Sequence, residues 1–515
     1  MTAEETIGIG DVAAAGQATV YDLFHARARH WPEAVALSTG GVTRTYGEMD
    51  RRVQCLASAF QAQGLSRGDR IALLSENRFE YAEVQMAAAL LGVIVACQNW
   101  RLSGAELGHC IELVSPRLVI VSSLFRDAFH AIGVDVESWV LEDDYESLVA
   151  SASPIAKRPA ATPEDGLVIL YTSGTTGLPK GALISHRAEI ARMTVYRMDF
   201  GAGTGDGFVA WAPMFHMGST DQVLCTLMSG GIVHIIDGLA PREIVAVMQQ
   251  HTLGWMLLMP GSIEPIVDIL EAEKVRVRGI RAVGAMVDLV PRALAMELSR
   301  LTGAPYLNSF GSTETGLPPL SGRLMAEGEL TGSLSKWPSA LADIRLVDEE
   351  GRDVPDGTPG EMALRGPTVF SGYWNAPEAN ASDFRDGRFL MGDMFTRNAD
   401  GSYDFVDRAK YMIKSGGENI YPAEIERVLL ADPRVRDAVV VRKPDARWGE
   451  VPVAFVARNG GDLDAAGIEA MCRASLAGYK RPKEVRFVEY DDLPRSTTGK
   501  IVRHEIERQL KDEGA

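Results

Sequence analysis

Between Tyr171 and Gly181 the chain reads YTSGTTGLPKG, with Gly174, Gly177 and Gly181 interleaved among Thr172, Ser173, Thr175 and Thr176, and with Lys180 close behind. Glycines let backbone N–H groups come close to an anion, and hydroxyls add further donors. The lysine supplies a mobile positive charge. Together these are the needs of a bound polyphosphate. The stretch follows the apolar run LVIL, read as a strand, so it falls at a strand's C-terminal end, where open α/β sheets bind ligands. It is neither the G-x-x-x-x-G-K-[ST] loop nor G-x-G-x-x-G, so a Rossmann cofactor is not indicated.

Other residues suit the same chemistry. Glu314 follows Ser312 and Thr313 in NSFGSTETG. A carboxylate beside a triphosphate is a natural Mg²⁺ ligand, directly or through water. Taken alone, S-T-E reads as a helix cap with Glu in the first turn. Lys500 ends PRSTTGK, a loop held by Pro494 and Gly499, and SGGENIYP carries the pair Gly416–Gly417.

In chain order, YTSGTTGLPKG, WAPMFHMGS, NSFGSTETG, GYWNAPE, MGDMF, DRAKYMIKSGGENIYPAEIE, WGE and PRSTTGK resemble the motifs of the adenylate-forming superfamily. That superfamily comprises acyl- and aryl-CoA synthetases, peptide-synthetase adenylation domains and beetle luciferase, and the acyl-CoA synthetases are the nearest. The likeness runs over roughly residues 20–505. It implies ATP, Mg²⁺ and coenzyme A as cofactor and co-substrates, and a small carboxylic acid as the partner molecule. Thr172, Ser173, Gly174, Thr175, Thr176, Gly177 and Lys180 would hold the phosphates, with Thr176 and Lys180 also acting in the reaction. Glu314 would hold the metal, Thr313 a phosphate, and Gly311 and Ser312 would flank the nucleotide. Phe310 stands where the family's adenine-stacking residue is usually Tyr. Asp393 would accept the ribose hydroxyls, with Met391 where Thr or Ser is usual, and Arg408 would contact the ribose and phosphate side. Gly284, with Ala285 and Met286, is a weaker match to the glycine-rich strand end lining the adenine and acyl pockets.

On the acyl side the resemblance assigns His216 a shaping or gating role and places Met217, Gly218, Met259, Pro260 and Gly284 with it as candidates for an apolar pocket, in which flexible methionine tolerates irregular shapes. No Arg or Lys stands among them to pair a second carboxylate, so dicarboxylates are disfavoured. Peptide-synthetase domains place an Asp where His216 stands, and Asp221 lies too far along, so an α-amino acid substrate is disfavoured. Lys500 would meet the carboxylate and α-phosphate during adenylation. Gly416 and Gly417 would form part of the pantetheine passage, and Lys410 would be the hinge between two domain orientations.

These residues need a scaffold. The chain has 515 residues, and at about 150 per domain the prior is about three domains. Helices and strands alternate from residue 21 onward, which argues for layered α/β structure with parallel sheet. A linker rich in Ala, Pro and Ser spans Ser151–Gly166. Short strands and turns mark a β-rich subdomain at about 335–409. The expected fold is therefore α/β: a large N-terminal domain, residues 1–409, and a small α+β C-terminal domain, residues 410–515, which the resemblance implies is mobile.

Net charge is −17, which disfavours nucleic acid or an anionic membrane as a partner. The five cysteines show neither a C-x-x-C pair nor zinc spacing, and read as buried thiols. The longest apolar run, Met86–Cys97, is too short for a span and reads as a helix end entering a strand. The start, MTAEETIGIG, lacks the features of a secretory leader. A cytoplasmic monomer or homodimer is expected.

The reading is an AMP-forming acyl-CoA ligase acting on an apolar monocarboxylic acid, whether fatty, alicyclic or aromatic. The alternatives are an acyl-AMP ligase that loads a carrier protein, a luciferase-like oxygenase, and a non-catalytic nucleotide-binding protein.

Overall fold

The computed structural model describes residues 15–156, 161–172, 178–259, 261–284, 290, 292–326, 334–416, 418–460, 463–495 and 501–513. Two six-stranded sheets form the body of the large N-terminal domain. The first runs, edge to edge, Ser138–Val140, Leu118–Val121, Arg70–Leu74, Ile94–Cys97, Gly166–Thr172, Lys180–Ser185. All its neighbours are parallel except the last pair. The second runs Val283–Gly284, Leu253–Leu257, Gly207–Ala210, Val233–Ile235, Val35–Thr39, Val42–Thr45, again parallel except at the final hairpin. Strands buried on both faces read as unbroken apolar runs, and Leu118–Val121 and Ile94–Cys97 are buried throughout.

One continuous core joins the two sheets. The helix Phe79–Leu91 runs through it with nearly every residue buried, as an all-round apolar sequence requires. It ends at Gly92, whose φ of 69° turns the chain into the strand Ile94–Cys97. The reading of Met86–Cys97 as a helix end entering a strand thus holds. The single carboxylate on that helix at full burial, Glu83, is neutralised by Arg44 and by Arg52 at 2.8 Å, and accepts from the Tyr145 hydroxyl at 2.7 Å.

A five-stranded antiparallel sheet follows, built from Asp343–Val347, Gly360–Arg365, Phe384–Arg385, Arg388–Arg397 and Tyr403–Arg408. The small C-terminal domain has its own sheet, centred on the long hairpin Val435–Asp445/Gly449–Arg458, with helices Pro422–Leu430 and Ala465–Ser475 over one face and Arg503–Glu513 over the other. All five cysteines are buried and unpaired. Among the described residues no helix is long and apolar enough to cross a membrane.

Two histidines are buried as neutral rings. His186 Nδ1 accepts from the Val20 N–H at 3.2 Å, and His234 lies against His251 with ring centroids 4.2 Å apart. Burial pushes both down to about 4. In the unfolded chain each titrates near 6.5. The stability they contribute is therefore complete above about pH 6.5 and is lost as pH falls toward about 4. The expected result is a melting temperature that drops over that window. It should drop less steeply in His234→Gln, which removes one of the two rings. Identical pH slopes for the two proteins would show that His234 does not titrate on unfolding.

Candidate active site

The strand Gly166–Thr172 sits inside the first sheet and returns as Lys180–Ser185, with Thr172 opposite Lys180. The phosphate-loop candidate is therefore carried on a hairpin between two strands, not on a strand-to-helix turn. Ser173, Gly174, Thr175, Thr176 and Gly177 lie outside the described residues. Gly181 has a packing reason: a Cβ there would come within 2.8 Å of Ile169 Cγ2. The Lys180 ammonium lies 4.0 Å from the ring centroid of Tyr373 and 3.5 Å from Asp383 Oδ2. The segment holding Tyr373 is fixed against the same hairpin. Leu183 N–H donates to Gly372 O at 3.0 Å, and Trp374 N–H donates to Gly181 O at 2.7 Å.

Glu314 sits in the turn between strands Phe310–Ser312 and Gly316–Leu320. No helix starts there, which removes the helix-cap alternative. The turn is tight because Gly311 lets Gly316 O approach: a Cβ on Gly311 would lie 1.9 Å from that oxygen. Ser312 N–H donates to Thr315 Oγ1 at 3.1 Å. Glu314 is 9% exposed, its Oε1 accepts from the Tyr373 hydroxyl at 2.8 Å, and its backbone carbonyl accepts from Phe370 N–H at 2.8 Å. Burial and the neighbouring carboxylate push the Tyr373 phenol far up, so it is a donor at any working pH.

Arg192, on the helix His186–Asp199, braces this turn from behind. Its guanidinium donates to Thr313 O at 3.1 Å, to Thr368 O at 3.2 Å and to Asp221 Oδ2 at 3.0 Å. The Arg192 and Asp221 side chains are almost fully buried, and the Arg192 stem fills the space a Cβ on Gly316 would need. Burial raises the Asp221 and Glu189 carboxyls beside it, and the Arg192 charge opposes that rise. Asp221 is thus tied to Arg192, in keeping with its dismissal as a ligand for a substrate ammonium.

Asp393 and Arg408 face each other across the strands Arg388–Arg397 and Tyr403–Arg408, with Arg408 Nε 3.1 Å from Asp393 Oδ1. Asp393 is 2% exposed while the Arg408 side chain is half-exposed. The aspartate holds the guanidinium's pKa above its ordinary value. Phe310 is buried, edge-on to Phe395 at 4.8 Å and stacked on Phe405 at 5.8 Å. Its surroundings are apolar, which suits the missing hydroxyl. Much of the ring is engaged in the sheet core, and adenine stacking remains a proposal.

On the acyl side, His216 precedes the helix Met217–Ser229, and its carbonyl accepts from Ser219 N–H at 3.0 Å and Thr220 N–H at 2.9 Å. Gly218 lets Leu257 close in, since a Cβ there would lie 2.9 Å from Leu257 Cδ2. Gly284 is equally constrained, with Leu307 O 2.3 Å from its would-be Cβ. Met217, Leu257, Met259 and Leu317 are partly buried apolar residues at the margins of the two large cores. Pro260, Ala285 and Met286 lie outside the described residues.

Sequence reasoning missed Asn77, which fixes the WAPMFHMGS segment. Its amide donates to Ala210 O, Ala212 O and Ile236 O at 3.1, 2.9 and 3.1 Å, and its Oδ1 accepts from Met214 N–H at 2.8 Å. Its one signal was position: it stands just beyond the C-terminal end of the strand Arg70–Leu74, where α/β sheets place ligand-side loops.

In the C-terminal region, Gly416 has φ 61° and lies under Trp448, whose Cε3 would be 2.7 Å from a Cβ there. That contact is a reason for the glycine besides the thiol passage. Gly417 and Lys500 lie outside the described residues. Lys410 occupies a single 3₁₀ turn, Ala409–Tyr411, and burial and the Arg408 charge lower its ammonium. Among the described residues no cluster of three or more His, Cys, Asp or Glu side chains is placed to hold a metal. A lone carboxylate, Glu314, fits Mg²⁺ that arrives on a triphosphate, since that ion commonly takes one or two protein carboxylates and completes its shell with phosphate and water.

Two sheet-borne hairpins thus bring a lysine and a carboxylate together, next to an Asp–Arg pair and an apolar flank, in a chain that also carries a small second domain. This is the architecture of an adenylate-forming enzyme. The chain belongs to the AMP-binding enzyme family: that family matches residues 24–374, and its C-terminal domain matches residues 424–500. Within the family the chain is an AMP-forming acid–thiol ligase. It is 34% identical over 94% of its length to a feruloyl-CoA synthase of Amycolatopsis, of which it covers 97%. It is 34% identical over 90% of its length to an indoleacetate–CoA ligase of Aromatoleum aromaticum, of which it covers 93%. ATP-bound MatB from Rhodopseudomonas palustris superposes with a TM-score of 0.83 at 27% identity, covering 97% of this chain and all of that one.

Proposed function

We propose that the enzyme converts an apolar monocarboxylic acid, with Mg·ATP and coenzyme A, to acyl-CoA, AMP and pyrophosphate, with aryl acids the first class to try. The observation that carries the acid assignment is the acyl flank. Met217, Leu257, Met259 and Leu317 present apolar surface, and the Arg192 guanidinium, which reaches the helix Met217–Ser229, is bound to Asp221 and is not offered to a second substrate carboxylate. The names of the feruloyl and indoleacetate relatives support the aryl choice.

In the first step the substrate carboxylate attacks the α-phosphorus of ATP, and pyrophosphate leaves. Lys180 and the loop before it neutralise the departing phosphates. Glu314 would hold the metal that arrives with the triphosphate. Arg408, steadied by Asp393, holds the ribose and phosphate side. The metal supplies charge neutralisation on the phosphate oxygens. In the second step the CoA thiolate attacks the acyl carbon and AMP leaves, so no acyl-enzyme is required.

A panel of aryl, alicyclic, fatty and dicarboxylic acids, scored for AMP release with and without CoA, tests this. We expect acyl-CoA and AMP in equal amounts from aryl monocarboxylates. ADP and phosphate as products would overturn the mechanism. Preference for dicarboxylates would overturn the pocket reading, and acyl transfer to a carrier-protein thiol but not to CoA would overturn the acceptor.

A further inference from the structure

Tyr373 stands between two charged groups of the site, Glu314 and Lys180. Its hydroxyl donates to Glu314 Oε1 at 2.8 Å, while the Lys180 ammonium rests 4.0 Å from the centroid of its ring. The phenol is 7% exposed and its segment is held on several sides. Tyr373 N–H donates to Asn380 Oδ1 at 2.7 Å, its carbonyl accepts from Asn380 Nδ2 at 2.9 Å, it bridges to Ala182, and Phe370 meets its ring edge-on at 4.9 Å. The side chain therefore has a fixed aim.

The chemistry of the placement is specific. A lysine and a glutamate in one small site attract each other, and a direct ion pair would use the charges that a metal and a phosphate need. A phenol between them prevents this. As a donor it occupies one carboxylate oxygen, and among the described residues the second oxygen makes no hydrogen bond. As a π-face it gives the ammonium an electrostatic seat that takes up none of its N–H groups, so that besides the long contact to Asp383 Oδ2 at 3.5 Å they stay available.

We propose that Tyr373 is a positioning residue that holds Glu314 and Lys180 apart and separately aimed, Glu314 toward the metal and Lys180 toward the phosphates of bound nucleotide. This rests on the reading of the site as a Mg·ATP site. Its test is binding, free of turnover: calorimetric titration with α,β-methylene-ATP, with Mg²⁺ and again in EDTA, on the full chain. Tyr373→Phe keeps the ring and loses the hydroxyl. The gain in affinity that Mg²⁺ gives should shrink by about tenfold, as for a lost hydrogen bond to a charged group, with affinity in EDTA unchanged. Tyr373→Leu also removes the π-face, and affinity in EDTA should fall about threefold as well. Melting curves check that each variant is folded, and if Tyr373→Leu does not fold, the Phe variant decides alone. A Tyr373→Phe protein that keeps the wild-type Mg²⁺ gain overturns the proposal and leaves the nucleotide reading standing. A wild-type protein that binds the analogue no better with Mg²⁺ overturns both.

Discussion

Glu314→Gln should form acyl-adenylate about 100-fold more slowly than the wild type, the scale of losing one preorganised electrostatic group, and should need more Mg²⁺ to reach its own half-maximal rate. The substitution removes a charge and little else. Glutamine keeps an oxygen that accepts from the Tyr373 hydroxyl, and the backbone carbonyl that accepts from Phe370 N–H is untouched. The hairpin turn, held by the Ser312–Thr315 contact and by Arg192 on Thr313 O, should stay as it is. The loss should therefore appear in the first half-reaction and in its metal dependence, with the melting temperature near that of the wild type. Thioester formation from supplied acyl-adenylate and CoA needs no triphosphate and should be spared. An unchanged adenylation rate and magnesium curve would leave Glu314 as a structural acceptor for Tyr373 and nothing more.

The parts of this site that were legible in the sequence share a physical origin. They are local. A glycine- and hydroxyl-rich stretch after an apolar run announces a phosphate loop wherever the strands lie, and alternation of apolar runs with helical spacing announces layered α/β structure. The family resemblance then named Glu314, Asp393 and Arg408, and the structure brings Asp393 and Arg408 face to face in one register. What was not legible acts across long separations. Tyr373 reaches Glu314 from 59 residues away, Asn77 holds Ala210 from 133 away, and Arg192 reaches Thr313 from 121 away. No spacing rule connects such pairs, because only the folded sheet order makes them neighbours. Local reasoning also gave some residues an incomplete reason. Gly181 and Gly416 read as room for a ligand, yet each is also required by a neighbour, Ile169 in one case and the Trp448 ring in the other. In isolation Glu314 read better as a helix cap, a reading removed by strands on both sides of it.

Lys500→Ala should fail in adenylation alone, and Lys410→Pro in whichever half-reaction needs the domain orientation that this structure does not show. We propose, on the motif PRSTTGK, that Lys500 approaches the carboxylate and α-phosphate only while pyrophosphate leaves. Lys500→Ala should then slow adenylation by about 100-fold or more, and should still convert supplied acyl-adenylate and CoA to thioester. We also propose that the C-terminal domain turns about Lys410 between the steps. The 3₁₀ turn at Ala409–Tyr411 is a short, isolated element where a φ change is easily absorbed, and its Lys410 carbonyl accepts from Arg442 of the small domain. Other contacts cross the same boundary. Asp407 Oδ2 accepts from Ala423 N–H at 2.7 Å, at the start of the helix Pro422–Leu430, and Arg427 donates to Phe405 O at 3.2 Å. A rotation about Lys410 must release both. Proline imposes a φ of about −65°, within the 3₁₀ range, and narrows the preceding residue as well. The ring should therefore be accommodated in the present orientation and resist leaving it, with the melting temperature as the check on folding. Single-turnover assays of each half-reaction should show Lys410→Pro keeping one step and losing most of the other, and the step it keeps identifies the orientation this structure represents. If Lys500→Ala slows both steps equally, or Lys410→Pro leaves both intact, the two steps share one domain arrangement and rotation is not part of this enzyme's cycle.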